Sequence, residues 1–495
     1  MANHKQIIIL VMMCIMIISC QRAMVKDVKD EAETMSQAVM DGSNNTVESS
    51  QVAVMEHAVK TPEMNYAEYC SGCHGTEMDA FVDRKWKYGK EDADLFKAIK
   101  VGYEDEGMPA YAEAFTDKEI HQLVDYIQEG IANVDEYYFK NKENKSNVYP
   151  SEGLTVVLDT VATGVEVPWG MTFLPKGDLL ITDRNGAIYR QSESDLVKLQ
   201  GAPEVVAAGQ GGMLDIELHP DYVSNGWIYM AYSKPNPDDP TESATSITRA
   251  KLQSDTFVNQ ELIFTALPYS GKRFHFGSRL EFDRDGYLYV SVGDRGSRDE
   301  NPQSLDNHCG KISRIHDDGR IPADNPFVDV AGAMPEIYSY GHRNPQGVAM
   351  HPVTGDIWTH EHGPRGGDEI NIIGAGKNYG WPVISYGINY NGTTFTELTQ
   401  KEGMEDPLMY WLPSIGACGM TFVTSDKYPG WENNLLSGSL RFEYLERAVL
   451  EGNKIVHTEK LLPNVGRLRS VEVGPDGFIY IAVEEPGYVF RLMPQ

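Results

Sequence analysis

The chain has 495 residues, 41% of them hydrophobic and 23% charged, and a formal charge of −29. That length exceeds one ordinary domain, and the composition is that of a soluble multidomain protein, not a bundle of membrane helices. So acidic a chain offers no basic stripe to neutralise phosphates, which excludes nucleic acid as a partner; the charge suits solubility or a basic redox partner.

At the N-terminus Lys5 precedes an apolar run from Ile7 to Ile18, short for a bilayer crossing and of the length of an export-signal core. The run ends in Ile17-Ile18-Ser19-Cys20, and a small residue directly before cysteine resembles a bacterial lipobox. Residues 1–19 read as a lipoprotein signal and Cys20 as the lipidated mature N-terminus, a membrane anchor; the alternatives are a simple signal peptide or an uncleaved anchor. Gln21 does not by itself retain a Gram-negative lipoprotein at the inner membrane. The expected location is therefore the periplasmic side, with the outer membrane favoured over the inner. Residues 20–60 show no sustained apolar period and read as a flexible tether.

Residues 61–134 form the next unit. Cys70-Ser71-Gly72-Cys73-His74 places two thiols where they can add across both vinyl groups of haem while the adjacent histidine reaches the iron. A thioredoxin-like pair explains neither the histidine nor the missing βαβ pattern, and zinc lacks two further ligands nearby. The motif predicts haem c on Cys70 and Cys73 with His74 as one iron ligand. Met108, in Gly107-Met108-Pro109, is the expected opposite ligand; Met78 is too close to His74, and Met64 precedes the motif. A capping box, Thr116 with Glu119, opens a helix whose buried face is Ile120, Leu123, Val124 and Ile127. This is the pattern of a small all-α monohaem cytochrome c.

Residues 135–150, with the run DEYYFKNKENKSN, lack an apolar period and read as a linker. From 151 to 495 one pattern returns, a turn glycine followed by an apolar strand: Gly177, Gly226, Gly286, Gly355, Gly430 and Gly477. Units of about 60 residues are too small to close alone and fit the blades of an all-β six-bladed β-propeller; immunoglobulin-like repeats run nearer about 100. The expected fold is therefore multidomain, a small all-α cytochrome c domain followed by an all-β propeller. Cys309 and Cys418 form a bridge or remain buried thiols; spacing does not decide.

The segment from Tyr340 to Trp381 gathers Arg343, Asn344, His362, Arg365, Asp368 and Glu369 around Gly363, Gly366, Gly367 and Gly374, a concentration of polar groups on strand ends and loops that signals a site. Its three motifs, GHRNPQG, EHGPRGGDE and GKNYGWP, closely resemble those of the PQQ-dependent aldose sugar dehydrogenases and the related soluble quinoprotein glucose dehydrogenases. The resemblance runs from about Leu154 to Leu492. By itself, His275 in FHFGSR reads as a satisfied core histidine; the resemblance instead implies a catalytic base, with Asp294 as the carboxylate that orients it and favours its protonated form. It implies further that Gln210 lies near the cofactor and that Arg343 and Asn344 contact the quinone, Arg343 also serving catalysis. PQQ carries three carboxylates, and Arg343, Arg441, Arg467 and Arg469 supply forked cations for them. Arg467 and Arg469, two apart, are expected to leave one strand face together. Arg441 falls where the soluble glucose enzymes have lysine, and Cys418 where many relatives have serine. The resemblance also implies two calcium ions, one on the carbonyls of Gly363 and Pro364, one on Glu369 and the Tyr379 carbonyl.

The expected activity is PQQ- and calcium-dependent oxidation of an aldose at its anomeric carbon to the lactone. His275 acts as general base, and electrons pass to the covalent haem c and on to a downstream acceptor such as a cytochrome, an oxidase or the quinone pool. The alternatives are a non-catalytic sugar- or partner-binding propeller beside an electron-transfer cytochrome, and a calcium-dependent propeller lactonase.

Overall fold

The structure, a computed structural model, describes residues 60–74, 88–132 and 146–495 apart from 194, 391, 392 and 485. The expected signal sequence, Cys20, the expected tether up to residue 59, residues 135–145 of the expected linker and the Cys73 side chain lie outside the described set.

The first part is helical. Short turns, Pro62–Asn65, Tyr66–Cys70 and Ser71–His74, carry the cysteine–histidine motif, and two longer helices follow, α1 (Asp92–Val101) and α2 (Asp117–Ala132). The capping box ahead of α2 is formed: the Thr116 amide donates to Glu119 Oε2 at 2.8 Å, and the Glu119 amide donates to Thr116 Oγ1 at 3.3 Å. All four residues expected on the inner face of α2 are buried, packed with Tyr66, Leu95, Ile99, Tyr111 and Phe115. Cys70 and Met108 pack against the same cluster. Met108 is held by reciprocal backbone bonds with Tyr103, its carbonyl accepting at 2.7 Å and its amide donating at 3.1 Å.

The second part is a ring of six antiparallel sheets. Five are contiguous in sequence, spanning 168–198, 213–265, 280–340, 345–411 and 417–461. The sixth closes the ring: Leu468–Val473, Ile479–Val483 and Tyr488–Pro494 are joined by Thr155–Thr163 from the other end of the domain, with Leu158 opposite Leu492. Such closure leaves no unpaired inner edge between the first and last blades. The last three residues of the expected linker, Val148–Pro150, are already a strand in this sheet, because Tyr149 has a buried place in its core.

The six pattern glycines occupy one topological position. Each lies between the innermost and second strand of its blade, and each has a positive φ, between +71° and +95°. A side chain there would cost roughly 1–2 kcal/mol in the left-handed region, which explains why glycine marks every blade.

Arg279 connects all six innermost strands. It directly precedes the inner strand of the third blade, Leu280–Phe282. Its guanidinium donates to Asp215 Oδ1 (second blade, 3.1 Å), the Gln346 carbonyl (fourth, 2.9 Å), Cys418 Sγ (fifth, 3.6 Å) and the Arg469 carbonyl (sixth, 2.7 Å). It also lies 4.0 Å over the ring of Trp169, from the first blade. Arg279→Met should lower the stability of the propeller by about 3–5 kcal/mol by leaving the Asp215 carboxylate buried without its cation. Chemical denaturation checks this; a midpoint equal to that of the wild type would mean that Arg279 does not hold the blades together.

Candidate active site

A cavity of about 540 Å³ opens at one mouth of the ring, lined by Gln210, His275, Asp294, Arg343, Pro364 and Trp381 among others. Five of these six were singled out from the sequence. Its floor is built from constrained backbone: His275, Gly277 and Ser278 all have positive φ, at 56°, 63° and 77°. The Gly277 amide donates to Asn344 Oδ1 at 3.1 Å, and the His275 amide donates to Gln210 Oε1 at 2.8 Å. Asn344 and Gln210 thus hold the histidine loop by its backbone. A β-carbon on Gly293 would stand 2.2 Å from the His275 carbonyl, so glycine is required for this close approach.

His275 and Asp294 form a directed pair, Nδ1 to Oδ1 at 2.7 Å. Asp294 is buried, and its Oδ1 also accepts the Gly296 amide at 2.8 Å while Oδ2 accepts Trp381 Nε1 at 2.9 Å. Burial opposes its charge, but His275, Arg343 and the Gly296 amide outweigh that and hold its carboxyl below the ordinary range. An ionised carboxylate can only accept, so Nδ1 carries the imidazole proton and Nε2 presents a lone pair. Asp294 does favour the protonated histidine, as expected, but it is not the largest influence. Burial, aided by the Arg343 charge, outweighs Asp294 and lowers the His275 pKa.

Arg343 donates through Nη1 to the His362 carbonyl at 3.0 Å, and its guanidinium lies 5.3 Å from the Trp381 ring centre. Its Nε and the Nε2 of His362 are buried without a hydrogen-bond partner among the described residues. Unmet polar atoms of this kind beside a cavity fit an anionic, hydrogen-bonding group as a missing occupant.

The remaining arginines are arranged differently from the expectation. Arg467 and Arg469 converge, but on Glu484: Arg467 Nε meets Oε2 at 3.0 Å and Arg469 Nε meets Oε1 at 2.6 Å. Only Arg469 lies in the strand, whose register shifts between Leu468 and Ser470. Burial opposes the Glu484 charge, but Arg469, Arg467 and Arg184 hold its carboxyl far below the ordinary range. Arg441 donates to the Ser414 carbonyl at 3.3 Å. None of these three lines the cavity, although the Arg469 charge reaches His362. Glu484 carried no sequence signal, since its partners are assembled only by the fold.

The loop after His362 is clamped by Asp368, which accepts the amides of Gly363 (2.8 Å), Gly416 (2.7 Å) and Ala417 (3.1 Å). The Pro364 carbonyl accepts the Ser414 hydroxyl at 3.1 Å and retains a second lone pair. Glu369 stands across the strand pair from Glu361, and burial together with that neighbouring charge raises its carboxyl well above the ordinary range. Beside them, Asn371 Oδ1 is buried with no donor among the described residues. The Tyr379 ring stacks on His342, whose Nδ1 meets Glu361 Oε1 at 2.9 Å. Crowded carboxylates with an orphaned amide oxygen are the donor set of a hard cation. No three His, Cys, Asp or Glu side chains converge as a metal site among the described residues, so a cation here would draw on carbonyl and amide oxygens as well.

In the helical part, burial lowers the His74 pKa to about 4, keeping the imidazole neutral, the form that ligates iron. Cys309 and Cys418 are separate buried thiols, and the latter contacts Arg279 and Arg469.

Residues 57–127 match the family described as cytochrome C oxidase, cbb3-type, subunit III. Residues 165–491 match the family described as Glucose / Sorbosone dehydrogenase. The chain is 38% identical over 348 residues to an aldose sugar dehydrogenase of Escherichia coli, covering 69% of this chain and 94% of that protein. It is 28% identical over 413 residues to quinoprotein glucose dehydrogenase B of Acinetobacter calcoaceticus, covering 66% and 85%. The propeller superimposes on the apo-form of the soluble Escherichia coli aldose sugar dehydrogenase with a TM-score of 0.66 at 37% identity, covering 69% of this chain and 100% of that one. A PQQ-bound aldose sugar dehydrogenase from Streptomyces coelicolor gives a TM-score of 0.57 at 28% identity, covering 70% and 100%. With two thirds of its length matched and a helical cytochrome c domain ahead of the propeller, the chain belongs to the glucose/sorbosone dehydrogenase family.

Proposed function

We propose that the protein oxidises an aldose at its anomeric carbon to the lactone, with PQQ in the propeller mouth, calcium in the loops beside it and haem c in the helical domain. The observation that carries this reading is the His275–Asp294 pair in the cavity, with buried nitrogens of Arg343 and His362 that lack partners among the described residues. When bound, PQQ supplies a two-electron acceptor for the sugar, and haem c supplies an outlet for those electrons.

His275 takes the proton of the anomeric hydroxyl through Nε2, while Asp294 fixes the tautomer and stabilises the imidazolium that forms. Trp381 and Gly296 keep Asp294 ionised and in place. Arg343, with Asn344 and Gln210 nearby, offers charge and hydrogen bonds to the quinone, and the cluster of Arg467, Arg469 and Glu484 keeps a net positive charge, felt at His362 through Arg469. The Gly363 and Pro364 carbonyls would hold one calcium ion. Glu369, the Tyr379 carbonyl and, from its orphaned oxygen, Asn371 would hold the other.

His275→Ala should leave the fold and cofactor binding intact and lower turnover by about 10² to 10⁴, the range for a lost general base. Because the His275 pKa is lowered, the base stays unprotonated as pH falls below the ordinary histidine value of about 6.5. The acidic limb of kcat/KM in the wild type should therefore lie below that value. Turnover within a few-fold of wild type, or a limb above it, removes His275 from this role.

Calcium chelation should deplete activity before it unfolds the propeller, since the blades are held by Arg279 and strand pairing, not by the loops. Calcium and PQQ added back should restore turnover, while full activity after exhaustive removal of both refutes the cofactor assignment.

Cys73→Ala or His74→Ala should abolish the haem spectrum and leave dye-coupled sugar oxidation running. Loss of dye-coupled activity in a folded variant would show that the two domains do not divide the work in this way.

A further inference from the structure

Proton abstraction by His275 uses propeller residues alone, yet the helical domain touches the propeller at the mouth of that same cavity. Two ion pairs cross the contact: Glu68 with Arg365, and Asp105 Oδ1 with Lys272 Nζ at 2.5 Å. The Arg365 guanidinium also lies 4.4 Å from the centre of the Tyr69 ring. Between these, the Arg273 amide donates to the Asp105 carbonyl at 3.1 Å, which fixes backbone against backbone.

What this contact positions is the loop that carries Met108. Gly107, in the left-handed conformation, packs so tightly on Phe274 that a β-carbon would stand 3.3 Å from its Cδ1. Phe274 in turn meets the His275 imidazole edge-on, with ring centres 4.8 Å apart. Glu104, Gly107 and Pro109 line the cavity together with His275, Asp294 and Arg343. The pocket is thus built from two domains, and without the helical domain it lacks one side.

We infer that the haem domain is a wall of the sugar pocket, latched in place by Glu68 and Asp105, and that it selects substrate by size. A short aldose fits the space between the Glu104–Pro109 loop and His275, whereas a longer oligosaccharide collides with the loop unless the latch opens. Both ion pairs are partly exposed, and exposed pairs are individually weak and screened by salt. The wall is therefore reversible by construction. The size selection rests on the dehydrogenase reading above; the docking itself does not.

The full-length haem protein tests both parts. A carbodiimide joins only carboxylate and amine already in contact, so peptide mapping should find an Asp105–Lys272 amide that diminishes in high salt and in the variant Glu68→Arg. Dye-coupled assays on Glu68→Arg/Asp105→Lys, with its haem spectrum intact, should keep the monosaccharide kcat. They should also lower KM for a trisaccharide relative to a monosaccharide by about tenfold, because like charges now face each other across the contact. Pairing Glu68→Arg with Arg365→Glu should restore wild-type selectivity relative to Glu68→Arg alone. Failure of the amide to form in the folded chain, or an unchanged KM ratio in the charge-reversed variant, overturns the proposal. A chain that forms the amide but oxidises no aldose would sink the dehydrogenase reading instead and leave the docking established.

Discussion

The buried guanidinium of Arg279 is the constraint on which the propeller mouth depends. A charge at the centre of a ring must be compensated from all sides, and each blade contributes from its innermost strand: Trp169, Asp215, the Gln346 carbonyl, Cys418 and the Arg469 carbonyl, with Arg279 itself from the third. Burial raises the Asp215 carboxyl, and the Arg279 charge and the amides of Leu280 and Ile216 work against that rise. The consequence for the site is positional. Arg279 follows directly on the left-handed residues His275, Gly277 and Ser278, and Gln346, whose carbonyl receives Arg279, also donates through its amide to the Gly277 carbonyl at 3.1 Å. The side chain that ties the blades together therefore also sets the height of the histidine in the mouth.

Much of this was legible in the sequence where one local rule acts. A left-handed turn favours glycine on local grounds, so the six glycines count the blades. A capping box is complete within four residues, and Thr116 with Glu119 is formed as read. The cysteine–histidine motif and the three polar motifs between Tyr340 and Trp381 are contiguous for the same reason. What escaped is assembled across blades. Trp381 was quoted only as the end of a motif, yet it holds Asp294 from 87 positions away. Glu484 pairs with two arginines that seemed available to a ligand. Asn371 offers an oxygen unpaired among the described residues, which only burial makes significant. Neither propensity nor spacing encodes such partners, because the ring decides which loops meet.

The net direction of the His275 shift has the same origin. A carboxylate at 2.7 Å favours the imidazolium, and considered alone that pair predicts a raised pKa. The imidazole is also removed from water and faces Arg343, and these effects prevail. The difference matters to the chemistry, since a base must be unprotonated before it acts, while the imidazolium needs stabilising only after the proton has moved. Burial secures the first condition, and the ionised Asp294, kept ready by Trp381 and Gly296, supplies the second.

Chain order adds a last constraint. The helical domain precedes the strands Val148–Pro150 and Thr155–Thr163, which complete the sixth blade, and so enters the ring at its point of closure. Its contacts, however, are with Lys272, Arg273 and Phe274, between the second and third blades, and with Arg365 in the fourth. It therefore lies over the mouth and not beside the blade to which it is joined. A domain held only by its covalent connection would have no reason to prefer these loops; the acidic residues Glu68 and Asp105 facing basic Arg365 and Lys272 provide one. Charge complementarity is also selective on a chain of net charge −29, because two carboxylates settle where basic side chains meet them.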